Sequence, residues 1–168
     1  MLTIDPGHFM AWPAMYLDVP DAAGFGFNQS FQSIGLGLGA AIGAAVARPD
    51  RLALAVVGDG GAMMALGELE TAASLGEPLL VVVQRRRVRR GDPPLRPHGS
   101  PRRPGALRTP GPRRVRTRRG RAWHHGPSAA DLDALDEWLA APAGLCVVDA
   151  RITPTVVADW LEEAFRTH

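Results

Sequence analysis

The order of four neighbouring segments between residues 52 and 83 limits the folds open to this chain more than any other feature. Two short apolar runs, LALAVV at 52–57 and LLVVV at 79–83, flank a Gly-Asp-Gly-Gly tetrapeptide and a segment with helical periodicity. Uninterrupted apolar runs of this length are typical of strands buried on both faces of a parallel sheet. Strand, glycine turn, helix and strand in this order predict a right-handed βαβ unit. The predicted helix spans residues 62–75, and its sheet-facing side chains are expected to be Met63, Leu66, Leu69 and Ala73.

The rest of the chain adds helices and a strand to this unit. Small apolar residues at 34–47 predict a tightly packed helix, and LCVVDA at 145–150 predicts another buried strand. Ser128 and Asp131 can cap a helix that runs to about residue 141, and a final helix is predicted at 155–165. These elements predict an α/β fold with a doubly wound parallel sheet. The inward side chains of the last two helices are expected to be Leu132, Leu135, Trp138, Leu139, Val156, Val157, Trp160 and Leu161.

The tetrapeptide at 58–61 is the candidate ligand site, because ligands of doubly wound sheets lie beyond the carboxyl ends of the strands. Glycines let backbone N–H groups approach phosphate oxygens, and a helix that starts at Ala62 would add a partial positive charge. The carboxylate of Asp59 would repel a diphosphate unless a Mg²⁺ ion lies between the two. A second interpretation is that Gly-Asp-Gly forms only a tight turn.

The composition of the chain bears on its location and on the role of its cysteine. No stretch approaches the roughly 20 apolar residues of a membrane span, and the start MLTIDPGHF lacks the features of a secretory signal. We therefore expect a cytoplasmic location. Cys146 is the only cysteine and lies in an apolar run, which indicates buried packing rather than a reactive thiol.

Two segments of the chain, GFGFNQSFQSIGLGLGAAIGAA and RLALAVVGDGGAMMALGELETAASLGEPLLVVV, are similar to the diphosphate-binding domain of acetolactate synthase and related enzymes. The similarity covers residues 4–83 and includes the glycine-rich helix, the Gly-Asp-Gly turn and the following helix. It implies a Rossmann-like fold that binds thiamine diphosphate and Mg²⁺, with Asp59 as the first metal ligand. The residues that it implies near the diphosphate are Gly7, His8, Phe9, Gly58, Gly60, Gly61 and Ala62.

Two further positions follow from the resemblance. Ile34 resembles the bulky apolar residue that holds the cofactor bent, and Ser33 lies beside it. Ordinary core or helix packing is the alternative for each of these residues. The glycines of GLG at 37–39, with Gly43, also resemble a dinucleotide-binding pattern. Residues 27–33 before them do not form a predicted buried strand, which argues against nicotinamide or flavin binding.

The resemblance implies an enzyme that attacks a 2-keto acid such as pyruvate, releases CO₂ and passes the remainder to an acceptor. It assigns no catalytic residue to this chain, because the glutamate that activates the cofactor belongs to a different domain, supplied across a dimer interface. The expected partners are therefore the remaining enzyme domains or a partner chain. We expect little or no activity from the isolated chain.

Residues 84–127 break the family pattern. The Asn-containing loop that completes the metal site is replaced by QRRR at 84–87, with Arg86 near the ligand position, and a guanidinium has no lone pair for a metal. Residues 84–99, written in one permitted set of codons and read one base later, give Asn-Asp-Ala-Ala-Tyr-Gly-Ala-Glu-Ile-His-His-Phe-Gly, which continues the family pattern. We infer a reading-frame shift. Residues 1–83 and 128–168 are then parts of one binding domain, separated by an Arg/Pro-rich segment that is expected to be disordered.

The same segment carries most of the positive charge. Between residues 84 and 121, 15 arginines and one acid give a net charge of +14, whereas 4 arginines and 16 acids elsewhere give −12. The alternative function is therefore a non-catalytic basic module that binds nucleic acid through residues 85–121. The segment lacks regularly spaced aromatic residues and a helical period, which favours non-specific binding. A salt-dependent shift of a nucleic-acid probe that disappears on deletion of the segment would favour the alternative.

Overall fold

The computed structural model describes residues 1–7, 9–28, 33–86, 123–125 and 129–152, in which strands alternate with helices. The strands are β1 (Leu2–Ile4), β2 (Phe25–Phe27), β3 (Ala53–Gly58), β4 (Leu79–Arg86), β5 (Trp123–His125) and β6 (Leu145–Ile152). The helices are α1 (Ala11–Tyr16), α2 (Leu36–Ala47), α3 (Asp59–Met64), α4 (Glu68–Leu75) and α5 (Ala129–Ala140), with a short 3₁₀ turn at Ala22–Gly24.

The strands form one sheet in the order β2-β1-β3-β4-β6-β5, and every neighbouring pair is parallel. The longest pairing joins β4 to β6, from Leu79 opposite Leu145 to Arg86 opposite Ile152. The α/β fold with a parallel sheet, predicted from the apolar runs, is confirmed. Because all strands point the same way, their carboxyl ends share one edge of the sheet.

Both faces of the sheet bury apolar side chains. Val57 and Val83 belong to a large cluster that includes residues of α2 and α4. The neighbouring Val56, by contrast, packs with Leu2 and Ile4 in a smaller cluster on the other face. This alternation follows from the two-residue period of a strand. The core therefore has two layers, one on each side of the sheet.

Helix α2 forms where small apolar residues recur at helical spacing. Its buried residues are Gly37, Leu38, Ala41, Ile42, Ala44 and Ala45. Complete burial of one side chain the size of Leu38 contributes about 1.5–3 kcal/mol, so this face fixes the helix on the sheet. The predicted helix at 34–47 is confirmed, with its first turn at Leu36.

The predicted single helix at 62–75 is instead two helices. The chain enters α3 at Asp59, three residues earlier than expected, and α4 starts only at Glu68. Leu66 was expected to face the sheet, but it lies in the turn between the two helices and is exposed. Ala65 and Ala72 are buried in its place. The end of α4 was predicted correctly, because Gly76 adopts the left-handed conformation (φ 75°) that is typical of a helix stop.

Helix α5 confirms the helix predicted after residue 128, but two of its expected inward residues are wrong. Leu132 and Leu139 are exposed, whereas Leu135 and Trp138 are half-buried. Strand β6 confirms the predicted strand at 145–150 and extends to Ile152. The helix predicted at 155–165 and most of the Arg/Pro-rich segment lie outside the described residues. In the parts of the chain that the structure covers, no helix has the length and apolar character needed to cross a membrane.

Candidate functional site at the carboxyl edge

The carboxyl ends of β1 and β3 define the point where the direction of the sheet reverses. From β1 the chain passes to β2 on one side and then returns to β3 on the other. Such a switch point leaves a crevice outside the strand ends, where ligands of open α/β sheets bind. The residues at this crevice are those that follow Ile4 and Val57.

The glycine turn follows directly after β3. Gly58 is the last residue of the strand, and Asp59, Gly60 and Gly61 form the first turn of α3. The N–H groups of a first helical turn have no acceptor within the helix. Asp59 Oδ1 accepts a hydrogen bond of 2.9 Å from the N–H of Gly60. Apart from its chain neighbours and the backbone of its own helix, no atom of the described residues lies within 4 Å of the position that a Cβ on Gly60 would occupy, so the space beside this residue is open there.

The ring of Phe9 lies across the two glycines at the ends of β1 and β3. A methyl group on Gly7 would lie 2.7 Å from Phe9 Cε1, and one on Gly58 would lie 2.9 Å from the same atom. Neither residue can therefore carry a side chain without displacing the ring. Three of the expected site residues, Gly7, Phe9 and Gly58, are thus brought together, whereas His8 lies outside the described residues.

Asp5 is a site residue that the sequence analysis missed. It immediately follows β1, and its side chain is completely buried. Its Oδ1 accepts hydrogen bonds of 2.9 Å from the N–H groups of Gly35 and Gly37, and its Oδ2 lies 3.0 Å from the N–H of Gly35. The signal in the sequence was an acid directly after a short strand-like run, in LTIDPG at 2–7, similar to the acid just beyond the apolar run in LALAVVGDGG at 52–61.

Ser33 and Ile34 lie just before α2, next to these hydrogen bonds. Ile34 is 48% exposed, so it is not a core residue. Gly35 follows with a φ of 95°, a conformation that disfavours any side chain. Packing at this turn is also close, because a methyl group on Gly35 would lie 3.1 Å from Met64 Cβ of α3. The turn thus holds Ile34 beside α3 with much of its surface open.

An ion pair joins β4 to β6 near the same edge of the sheet. Arg85 Nε and Nη2 donate hydrogen bonds of 3.0 and 2.6 Å to the two carboxylate oxygens of Asp149, which is buried. The bond to Asp149 raises the pKa of the Arg85 guanidinium, and the charge of Asp59 adds to this shift. A fixed positive charge therefore lies on the strand next to the glycine turn.

The residues at this edge suit a phosphate group better than they suit a metal ion. The open space at Gly60 and the first-turn N–H groups would accept phosphate oxygens. For a metal, Asp59 offers a carboxylate, and Gln84 Oε1 is a buried oxygen without a hydrogen-bond partner among the described residues. Within the described ranges, no group of three His, Cys, Asp or Glu residues could hold a metal ion.

A parallel α/β sheet with an open glycine turn at its switch point defines the class of ligand-binding, doubly wound domains. Residues 5–86, just under half of the chain, match the family of thiamine pyrophosphate enzymes, C-terminal TPP binding domain. Over these residues the chain is similar to the C-terminal TPP-binding domain of acetolactate synthase-like enzymes.

Named relatives agree with this assignment. The chain is 38% identical over 82 residues to the catabolic acetolactate synthase of Raoultella terrigena, and 34% identical over 83 residues to the large subunit of acetolactate synthase isozyme 2 from Escherichia coli K12. Each match covers 49% of this chain and 15% of the relative. The fold is also similar to that of the thiamine diphosphate-dependent 4-hydroxybenzoylformate decarboxylase of Rhodococcus jostii RHA1. That match has a TM-score of 0.64 and 19% identity, and covers 91% of this chain and 29% of that one.

Proposed function

We propose that this chain is the diphosphate- and Mg²⁺-binding domain of a thiamine-diphosphate-dependent 2-keto acid carboligase or decarboxylase of the acetolactate synthase type. The observation that carries the proposal is the open glycine turn that follows β3, within the residues that match the TPP-binding family. Bound thiamine diphosphate would supply the nucleophilic carbon that attacks the 2-keto acid, and the protein would bind and orient it.

Each expected site residue has a distinct part in the proposal. The N–H groups of Gly60, Gly61 and Ala62 would donate to phosphate oxygens, because they lie in the first turn of α3 and the space beside Gly60 is open. Asp59 would hold Mg²⁺ through its carboxylate, and the ion would offset the negative charge of the diphosphate. The glycines at 7 and 58 would let the Phe9 ring pack beside the diphosphate turn, and Ser33 and Ile34 would lie against the rest of the cofactor.

The remaining domains of the enzyme, or a partner chain, would cover this site. The chain spans only 14–15% of the length of several curated relatives that it matches. Ile34, Leu36 and Met64 near the turn are 48, 59 and 72% exposed, and apolar side chains of this size are commonly covered by another domain. We also propose that a reading-frame shift near residue 84 removed the second metal ligand, which sequencing of the coding DNA tests. A cytoplasmic location stays a prediction.

Titration of the ¹⁵N-labelled full chain tests the binding site directly. Thiamine diphosphate with Mg²⁺ is expected to shift the amide signals of residues 58–62, and EDTA is expected to weaken the binding. Asp59→Asn removes the charge that attracts the metal, so the apparent affinity in Mg²⁺ should fall at least about tenfold, or about 1.4 kcal/mol. Asp136→Asn, at an exposed position of α5, is the matched control and should bind as the wild type does.

A second pair of variants tests the open space beside the turn. Gly60→Ala places a methyl group where no protein atom lies within 4 Å, so the fold should tolerate it while diphosphate binding weakens. Gly43→Ala in α2 also meets no atom within 4 Å, and it should leave binding unchanged. The proposal fails if thiamine diphosphate shifts none of the turn signals, or if Asp59→Asn binds as tightly as the wild type in Mg²⁺.

A further inference from the structure

The buried carboxylate of Asp5 connects three separate parts of the chain. Its own N–H donates a 3.0 Å hydrogen bond to Val56 O, which ties the end of β1 to β3. Its oxygens accept from the N–H groups of Gly35 and Gly37, at the start of α2. These donors lie 30 and 32 residues further along the chain. A buried carboxylate is costly unless hydrogen bonds replace its lost hydration, so this arrangement constrains all three parts.

Asp5 acts as the cap of α2 although it belongs to another element. The N-cap residue of this helix is Gly35, which has no side chain to accept hydrogen bonds. A negative charge at this position also complements the positive end of the helix dipole. The start of α2, and with it Ser33 and Ile34, is therefore held by a residue of the β1 end.

The backbone of helix α3 packs against the same carboxylate. Gly61 is buried, and a methyl group added to it would overlap Asp5 Oδ2. The backbone of the glycine turn can therefore approach α2 only because residue 61 has no side chain. A methyl group on Gly37 would also collide, but with Cβ of Asp5 at 2.8 Å and its Cα at 3.0 Å.

We propose that Asp5 is the positioning residue of the diphosphate turn, setting the spacing between residues 58–62, where α3 begins, and residues 33–37, where α2 begins. This inference rests on the proposed function, since the turn that Asp5 positions is the proposed diphosphate site. Asp5 itself touches neither phosphate nor metal in this arrangement. It acts by fixing the backbone N–H groups that do.

The geometry is tested first in the full chain without any ligand. In hydrogen exchange, the amides of Gly35 and Gly37 should be protected as strongly as those in the middle of α2, because both donate to a buried acceptor. Rapid exchange of these two amides would overturn the inference, and this measurement requires no variant to fold.

Paired variants then separate the contact with Gly61 from ordinary packing. Gly61→Ala should lower the midpoint of urea unfolding strongly in the wild type and much less in an Asp5→Ala background, which lacks Oδ2. Gly37→Ala is the matched control. Its penalty should persist in Asp5→Ala, because alanine keeps the Cβ and Cα atoms that it meets. Equal penalties for Gly61→Ala in both backgrounds would contradict the proposal.

The positioning role is tested by measuring the affinity for thiamine diphosphate, since a purely structural role would change only stability. Asp5→Asn should fold, as judged by near-ultraviolet circular dichroism, yet bind thiamine diphosphate at least about tenfold more weakly. Thr3→Val is the control, because Thr3 Oγ1 also joins β1 to α2 by a buried hydrogen bond, to Gly37 O at 3.4 Å. It should lose stability but keep its affinity.

The possible results distinguish the two proposals. If wild-type protein binds and Asp5→Asn binds equally well, the positioning role is wrong while the proposed function stands. If the wild type binds no thiamine diphosphate, the proposed function fails. In that case, hydrogen exchange and the comparison of Gly61→Ala in the wild-type and Asp5→Ala backgrounds still test whether Asp5 sets the spacing of the two helices.

Discussion

Cys146 is the second residue of β6 and has no exposed surface, as its place in an apolar run predicted. Burial raises the pKa of its thiol to about 11, because the thiolate would lose its hydration. An acid with a raised pKa in the folded state favours folding while it stays protonated. Its contribution is therefore complete below pH 9 and is lost as the pH rises towards 11.

We expect the free energy of unfolding to fall by on the order of 2 kcal/mol between pH 8 and 11. The chain suits this measurement because it has no lysine and a single tyrosine. Urea unfolding at several pH values should show a flatter profile for Cys146→Ala. Tyr16→Phe, at an exposed position of α1, is the control and should keep the slope of the wild type. A slope equally steep in Cys146→Ala would contradict the prediction.

Single residues differ in how well their surroundings could be predicted. The place of Asp59 at the end of a strand follows from the local order of apolar run, glycine and acid, and the structure agrees. Asp5 has a similar local order, but its importance depends on contacts with Gly35, Gly37 and Gly61. Such distant contacts leave no periodic signal in the sequence. His8, at the centre of a predicted site segment, stays a prediction.

At the scale of elements, the ion pair between β4 and β6 is the main polar link across the sheet edge. Arg85 lies opposite Arg151 in the register, and its bidentate partner Asp149 lies opposite Val83. A guanidinium and a carboxylate joined by two hydrogen bonds form one of the stronger side-chain interactions. Removal of one charge leaves the other partly buried without its counterion.

Asp149→Asn is therefore expected to lower the free energy of unfolding by about 2 kcal/mol. Urea unfolding at neutral pH gives the comparison, with Asp133→Asn on the exposed side of α5 as the control. Only a modest loss is expected because the Arg85 side chain keeps 26% of its surface in solvent. A change below about 0.5 kcal/mol, the usual range for surface substitutions, would show that the pair contributes little.

The elements that sequence patterns predicted well are those with strong hydrophobic periodicity. Strands β3, β4 and β6 and helix α2 agree with the predictions to within a few residues. Strands β1 and β2 were missed because three residues carry no usable period. The break between α3 and α4 was missed because Met63, Leu66, Leu69 and Ala73 fit one continuous helix. Leu69 and Ala73 do pack against the core, but Leu66 is exposed, and Ala65 and Ala72 are buried.

At the scale of the whole molecule, two features bear on possible partners: the arginine-rich sequence of residues 84–121 and the exposed apolar side chains. The arginines between residues 87 and 121 lie outside the described residues, so the nucleic-acid alternative stays a prediction. The described residues include exposed apolar side chains on separate elements, for example Tyr16 on α1, Met64 on α3 and Leu132 on α5. Apolar surface on several sides is expected of a domain that other domains cover in the complete enzyme.

The purified chain should release no CO₂ from pyruvate. It spans about one seventh of the curated relatives, and the resemblance places the activating glutamate outside it. Binding of the cofactor alone does not supply that proton transfer, so a chain that binds thiamine diphosphate should still be inactive. The measurement is CO₂ release in the presence of thiamine diphosphate and Mg²⁺. A complete acetolactate synthase serves as the comparison. Turnover that Asp59→Asn abolishes would contradict the prediction, because contaminating enzyme would persist in that variant preparation.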